Sequence, residues 1–212
     1  MKIAFSGTSG SGKTTLVRFL EQESKLPHIS ASAGDLLTVT DKEILGREPF
    51  NYKGDGHLSV IKHSAINPRY AYENQYRLLH RRTQLLHGTH PLFPGVVDFI
   101  TDRSPIDNIV YFMMQTAYHA EVTDALAEEF VNVAVRAAEE LDHIIYVKAV
   151  QPGEVENNGS RINKRLYQLS VDQVFNYWFE FVKDRLKNSK TQFHVIDFWD
   201  LDRRKAFLKD LF

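Results

Sequence analysis

Gly7-Thr8-Ser9-Gly10-Ser11-Gly12-Lys13-Thr14 is the stretch that decides the fold. It fits G-x-x-x-x-G-K-[ST], the phosphate-binding P-loop. Lys2-Ile3-Ala4-Phe5-Ser6 stands before it, short and apolar enough for a buried parallel strand. Thr15-Leu16-Val17-Arg18-Phe19-Leu20 behind it begins a helical pattern. This strand–loop–helix setting separates a working phosphate loop from a chance Gly/Ser-rich turn. Gly7, Gly10 and Gly12 let the backbone turn tightly beside an anion. The loop's N–H groups, from Gly7 through Thr8, Ser9, Gly10, Ser11, Gly12, Lys13, Thr14 and Thr15, together with the helix N-terminus, then face phosphate oxygens. Lys13 is placed to reach the β and γ phosphates, and the Thr14 hydroxyl to ligate Mg²⁺.

The chain has 212 residues, 43% of them apolar, which suits one domain with a sizeable core. The formal net charge is −1, so any pull toward nucleic acid or membrane has to be local. No cysteine is present, which removes disulfides and thiolate metal sites and fits a reducing, cytoplasmic compartment. The first residues enter a core strand directly, with no signal-peptide pattern, and no apolar run reaches the length of a membrane span. We expect no membrane partner.

Going outward from the loop, a helix is expected over 13–25 and a second strand at His28–Ala31. A turn, Ser32-Ala33-Gly34-Asp35, then opens a helix at Leu36-Leu37. Residues 46–56 read as a loop and Pro68 opens a long helix to about His87. Val96–Thr101 reads as a third strand that delivers Asp102-Arg103-Ser104 at its end. Helices follow over about 105–118 and 123–140. A strand is expected at His143–Val150, a polar excursion through Pro152-Gly153 and Asn157–Ser160, a helix over 162–187, a strand at Phe193–Asp197 and a helix over 200–211. The alternation predicts a three-layer α/β fold around a mostly parallel five-stranded sheet. Ligands in such sheets lie at the carboxyl ends of the strands. The P-loop, Ser32–Asp35 and Asp102–Ser104 all fall there.

In that order these segments resemble the P-loop nucleoside and nucleotide kinases. Asp102-Arg103-Ser104 matches the D/E-R-[YHS] signature of thymidylate and deoxynucleoside kinases. Ile29–Leu37 is loosely similar to the S-T-G-D-L-L segment of adenylate kinases, with Thr38 where that family carries an Arg for the acceptor phosphate. Gly159-Ser160-Arg161, followed by Tyr167 and Asp172, is similar to the lid segment of phage-encoded kinases. Some of those phosphorylate 5-hydroxymethyluridine within DNA. The resemblance implies an ATP- and Mg²⁺-dependent phosphotransferase in one domain over 1–212. It implies a mobile lid at 151–165 and an acceptor-binding helical region at 57–95. A phage-encoded enzyme would work in the host cytoplasm. The oligomeric state is left open.

On that basis Asp102 is expected to help hold Mg²⁺ or to accept a proton; the competing reading is an N-cap of the following helix. Arg103 is expected to clamp a phosphoryl group rather than form a surface ion pair. Kinases that act on a hydroxyl commonly carry a general base just past the second strand, which points to Asp35; it too has an N-cap reading. Arg161 and Arg165 are the lid guanidiniums that would neutralise the transferring phosphoryl. Residues 57–97 carry Lys62, Arg69, Arg77, Arg81 and Arg82 against Glu73 alone, a local charge of +4, with five of the nine histidines. Tyr70, Tyr72, Tyr76 and Phe93 are interleaved. That mixture suits a polyanion with a flipped or stacked base, with Gln75, Tyr76, Arg77, Arg81 and Arg82 as acceptor contacts. A plain solvated helix is the alternative. The leading acceptor is a hydroxyl on a pyrimidine-type base, a 5-hydroxymethyl pyrimidine in DNA being the sharpest form. The runner-up is a deoxynucleoside monophosphate. A switch or motor ATPase is less favoured: Asn163-Lys164-Arg165-Leu166 lacks the Asp of N-K-x-D.

Overall fold

The computed structural model describes residues 1–45, 68–117, 119–149 and 165–212. The expected 46–56 loop, residue 150, most of the 151–165 lid with Arg161 and Lys164, and Lys62, His57 and His63 lie outside the described residues. So does the side chain of Arg69.

Five strands form the sheet: β1 Lys2–Ser6, β2 His28–Ile29, β3 Phe99–Thr101, β4 His143–Val147 and β5 Gln192–Ile196. Their order is β2-β3-β1-β4-β5 and every pair is parallel, as the alternating pattern requires. Eight helices are described: α1 Lys13–Ser24, α2 Ala33–Leu36, α3 Val39–Ile44, α4 Pro68–Leu86, α5 Pro105–Thr116, α6 Asp124–Glu139, α7 Arg165–Arg185 and α8 Leu201–Leu211. β1 is central, with β3 on one side and β4 on the other. The chain crosses one way after β1 and the other way after β3. The loop leaving β1 therefore opens at a topological switch point, where open α/β sheets bind ligands.

The two faces of β1 sort the core. Ile3 and Phe5 join Leu16, Val17 and Leu20 of α1, Leu208 of α8, and Ile145, Val147 and Ile196. Ala4 faces the other way, into a larger cluster built by α4 to α7 with Ile144, Tyr146, Phe112, Phe130, Phe175 and Phe179. Apolar residues on both faces are what a central parallel strand needs. The expected contacts of α4, namely Ala71, Leu78, Leu79, Leu85 and Leu86, are all buried.

Two strands end sooner than their apolar runs suggest, because side chains take the backbone groups that a longer ladder would use, and a third starts late. After β2, the Ala31 N–H donates to Asp102 Oδ1 at 3.0 Å and the Ala31 carbonyl accepts from Arg82 Nη2 at 3.1 Å. After β4, the Ala149 N–H donates to Asp172 Oδ1 at 3.1 Å. β3 begins only at Phe99, and Val97 is exposed. One helix was not expected. Thr38 caps α3 through a reciprocal pair with Asp41, a capping box with Asp in the usual Glu position.

Candidate active site

The phosphate loop wraps as its glycines allow. Gly7, Gly10 and Gly12 have φ of 133°, 84° and 93°, where a Cβ would be strained. At Gly7 there is no room either: a Cβ would sit 2.5 Å from the Val147 carbonyl oxygen. Gly12 is the N-cap of α1 and no side chain caps that end. The first N–H groups of α1 are thus left for an anion, which a helix N-terminus favours.

Lys13 is only 6% exposed. Its Nζ donates to the carbonyls of Gly7 and Thr8, each at 2.6 Å, and to Ser11 Oγ at 3.3 Å. The charge rests on neutral oxygens of the loop itself.

Arg103 comes to the same place from β3. Its Nη1 donates to the Gly7 carbonyl at 3.2 Å and to Asp107 Oδ1 at 2.9 Å. Burial works against this guanidinium's charge, but Tyr111, Asp107 and Asp102 outweigh it and raise its pKa. Two cations ninety residues apart in sequence therefore converge on the Gly7 carbonyl. Asp107 holds this arrangement. Its Oδ2 accepts from Ser6 Oγ at 2.8 Å, from the Ser104 N–H at 3.0 Å and from Ser104 Oγ at 3.2 Å. Sequence reasoning passed over Asp107; the signal was the spacing Ser104-x-x-Asp107, the capping box that opens α5.

The N-cap readings of the two carboxylates do not hold. Ser104 caps α5 and Ser32 stands at the N-cap of α2. Asp102, half-buried, ties the end of β3 to the end of β2 through Ala31. Asp35 is exposed, and its Oδ2 accepts from the hydroxyls of Ser30 and Ser32, both at 2.6 Å. Oδ1 has no partner among the described residues. Two serines thus fix a carboxylate at the carboxyl edge of β2 with one oxygen toward solvent.

The residues expected to meet Mg²⁺ are Thr14, exposed at the start of α1, and Asp102, half-buried at the end of β3. Among the described residues no group of three or more His, Cys, Asp or Glu side chains could hold a metal ion. Mg²⁺ is commonly held by one or two protein oxygens plus substrate phosphates.

The basic stretch is arranged differently from the sequence expectation. Arg81 donates through Nε to Asp41 Oδ2 at 2.7 Å and through Nη2 to Asp41 Oδ1 at 3.1 Å. Arg77 Nη1 reaches Asp41 Oδ1 at 3.3 Å. Asp41 is buried. Burial alone would raise its pKa, but hydrogen bonds from Arg81 and Thr38 and the Arg81 charge drive it well below the carboxylate range. Arg81 Nη2 also lies 3.5 Å from Thr38 Oγ1. A guanidinium from another helix therefore stands beside Thr38. His90, also buried, is held by Leu36 and Leu92: Nδ1 accepts from the Leu92 N–H at 3.1 Å, so Nε2 donates to the Leu36 carbonyl at 3.1 Å.

Arg82 is no free cation. It is 4% exposed and donates to the carbonyls of Ser104 and Ala31 and to Asn108 Oδ1. Burial lowers its pKa to about 10. Asn108 Nδ2 donates to Gln75 Oε1 at 3.2 Å, and Gln75 Nε2 to Gln115 Oε1 at 3.0 Å. Gln75 thus sits inside a buried chain of amides between α4 and α5. Of the four aromatic residues, Tyr70 is buried, and Tyr76 is the exposed ring, stacked on Tyr72 at 5.5 Å. Arg165 opens α7, exposed.

No protein-family model matches the chain, and no curated protein matches it. Solved structures do. The thymidylate kinase of Candida albicans superposes with a TM-score of 0.60 at 15% identity, over 99% of this chain and 89% of that one. The deoxyadenosine kinase of M. mycoides with bound dATP gives 0.57 at 15% identity, over 100% of this chain and 98% of that one. Its form with bound dCTP gives 0.55 at the same identity and coverage. The five-stranded parallel sheet with flanking helices is the fold of these nucleotide and nucleoside kinases.

Proposed function

We propose that the protein is an ATP-dependent phosphotransferase that moves the γ-phosphoryl group to a hydroxyl of a pyrimidine-type deoxynucleoside acceptor. The observation that carries this reading is the convergence of Lys13 Nζ and Arg103 Nη1 on the Gly7 carbonyl, beside an uncapped helix N-terminus at the sheet's switch point. A triphosphate arriving there takes both cations from a neutral oxygen. Mg²⁺, held by Thr14 and Asp102 with the phosphates, would supply further charge neutralisation. Asp35 Oδ1 accepts the acceptor's proton while Ser30 and Ser32 keep the carboxylate in place. The acceptor oxygen bonds to the γ-phosphorus, the bond to the β–γ bridging oxygen breaks, and ADP leaves. Arg161 and Arg165, from the 151–165 lid, neutralise the transferring group.

A 5-hydroxymethyl pyrimidine in DNA remains the sharpest form of the acceptor. It draws on Tyr76 as a stacking surface; Gln75, expected as a reader of the base edge, already has its amide bonded to Asn108 and Gln115. Its electrostatic support is smaller than the charge count suggests, since Asp41 pairs with Arg77 and Arg81, and Arg82 is buried. A deoxynucleoside monophosphate is the second reading. It is favoured by the nucleotides bound in the M. mycoides kinase structures.

Transfer of labelled γ-phosphate tests this, with free pyrimidine deoxynucleosides, dTMP, unmodified DNA and DNA carrying 5-hydroxymethyl pyrimidine as acceptors. The expected label goes to a hydroxyl. Asp35→Asn should slow that transfer by about 10²–10⁴ while leaving ATP binding unchanged. Label found only on the phosphate of dTMP, with Asp35→Asn at wild-type rate, would overturn the hydroxyl acceptor.

A further inference from the structure

Arg204 lies on α8, 193 residues from the loop it touches, and matches no motif. It is 3% exposed. Nη1 donates to the Ser11 carbonyl at 2.7 Å and Nε to the Phe198 carbonyl at 2.6 Å. The guanidinium carbon lies 5.2 Å from the Trp199 ring centroid. Nη2 is buried without a hydrogen-bond partner among the described residues, and no carboxylate there forms an ion pair with Arg204. Gly12 is pressed against it: a Cβ at Gly12 would stand 3.0 Å from Nη1.

Such a group is a poor choice for stability alone. A buried charge without a counter-ion is costly, and apolar side chains of similar volume commonly stabilise as well or better. Its position suggests another use. The Ser11 carbonyl and the Gly12 N–H belong to one peptide unit, and in a trans peptide they point to opposite sides. With the carbonyl drawn toward α8, the Gly12 N–H is turned away from α8, toward the concave side of the loop.

We propose that Arg204 is a positioning residue for the phosphate loop: by bonding the Ser11 carbonyl from behind, it fixes and polarises the Ser11–Gly12 peptide so that the Gly12 N–H meets a nucleotide phosphate. Its unpaired charge adds to the field that favours the anion. The inference rests on the reading of Gly7–Thr14 as a nucleotide site. Arg204 itself does not touch the nucleotide's reacting atoms.

The test uses the full chain with Arg204→Met and Arg204→Lys. ATP·Mg²⁺ affinity is measured by calorimetric titration, thermal unfolding without nucleotide, and KM for ATP and for the acceptor. Arg204→Met should unfold near the wild-type temperature and bind ATP·Mg²⁺ about tenfold more weakly, the scale of one charged hydrogen bond. The acceptor KM should not move. Arg204→Lys, which keeps the charge and one donor, should recover part of the loss. Wild-type ATP affinity in Arg204→Met would overturn the proposal, and so would a variant too unstable to titrate, since that marks a structural brace. If the wild-type chain binds no ATP·Mg²⁺, the nucleotide reading fails instead, and the two failures are told apart.

Discussion

The phosphate loop and the α3–α4 corner both hold buried or half-buried cations, and they treat the charge in opposite ways. At the loop, Lys13 donates to two carbonyls and a hydroxyl, and Arg204 donates to two carbonyls and, among the described residues, to no carboxylate. These hydrogen bonds go to neutral oxygens. At the corner, Asp41 takes Arg81 in a two-point ion pair and Arg77 beside it. That charge is already used within the fold. Arg103 stands between the two cases, since it shares its guanidinium between the Gly7 carbonyl and Asp107. A count of basic residues in sequence cannot tell these arrangements apart. The field available to a ligand depends on which acceptors the fold supplies.

The comparison is tested hardest at Asp41. Replacing it with Ala leaves two guanidiniums without their carboxylate and removes the reciprocal half of the α3 capping box, while Thr38 still caps the helix. Breaking a buried pair in this way costs about 3–5 kcal/mol. Chemical denaturation of Asp41→Ala should show a loss of that order. A loss under about 1 kcal/mol would mean that the corner is held by its apolar contacts.

A smaller effect is expected from acid. Burial first, and the nearby Arg81 charge, lower the pKa of His90 below its ordinary 6.5, against the opposing effects of the Leu36 carbonyl and Asp41. A histidine kept neutral in the fold contributes stability that is complete above its unfolded pKa. That stability is lost as pH falls below about 6.5 and through the folded value. Asp41, also depressed, adds its own loss only below about its ordinary value of 3.8. The unfolding temperature should therefore decline as pH falls below about 6.5. His143 and His194, also lowered by burial, contribute in the same direction, and His90→Gln should remove part of that decline. The same slope in His90→Gln as in wild type would assign the effect elsewhere.

What could be read in advance was whatever is contiguous. The P-loop is one run of eight residues with its strand and helix on either side, and Asp102-Arg103 follows a strand whose apolar residues are plain. Element order came out almost whole for the same reason, since the helices and strands other than α3 announce themselves by local periodicity. Strand lengths did not. Ala31 and Ala149 leave their ladders because Asp102, Arg82 and Asp172 reach them from distant segments. The pairing of Asp41 with Arg77 and Arg81 spans about forty residues, and that of Arg204 with Ser11 nearly the whole chain. No local pattern encodes either. Thr38 shows the limit most clearly: its sequence position lacks an arginine, and the fold brings Arg81 there from α4.

Lys13 donates to neutral oxygens of the phosphate loop, whereas Arg81 donates to a carboxylate. The most direct measurement compares γ-phosphate transfer by Lys13→Ala and Arg81→Ala with the wild-type chain, each variant first shown to be folded by circular dichroism. Lys13→Ala should lose at least about 10²–10³ in kcat, the scale of one electrostatic donor in a transition state. Arg81→Ala, whose charge Asp41 already neutralises, should keep a rate close to wild type. Near-normal turnover by folded Lys13→Ala, or an equal collapse in both variants, would contradict the account.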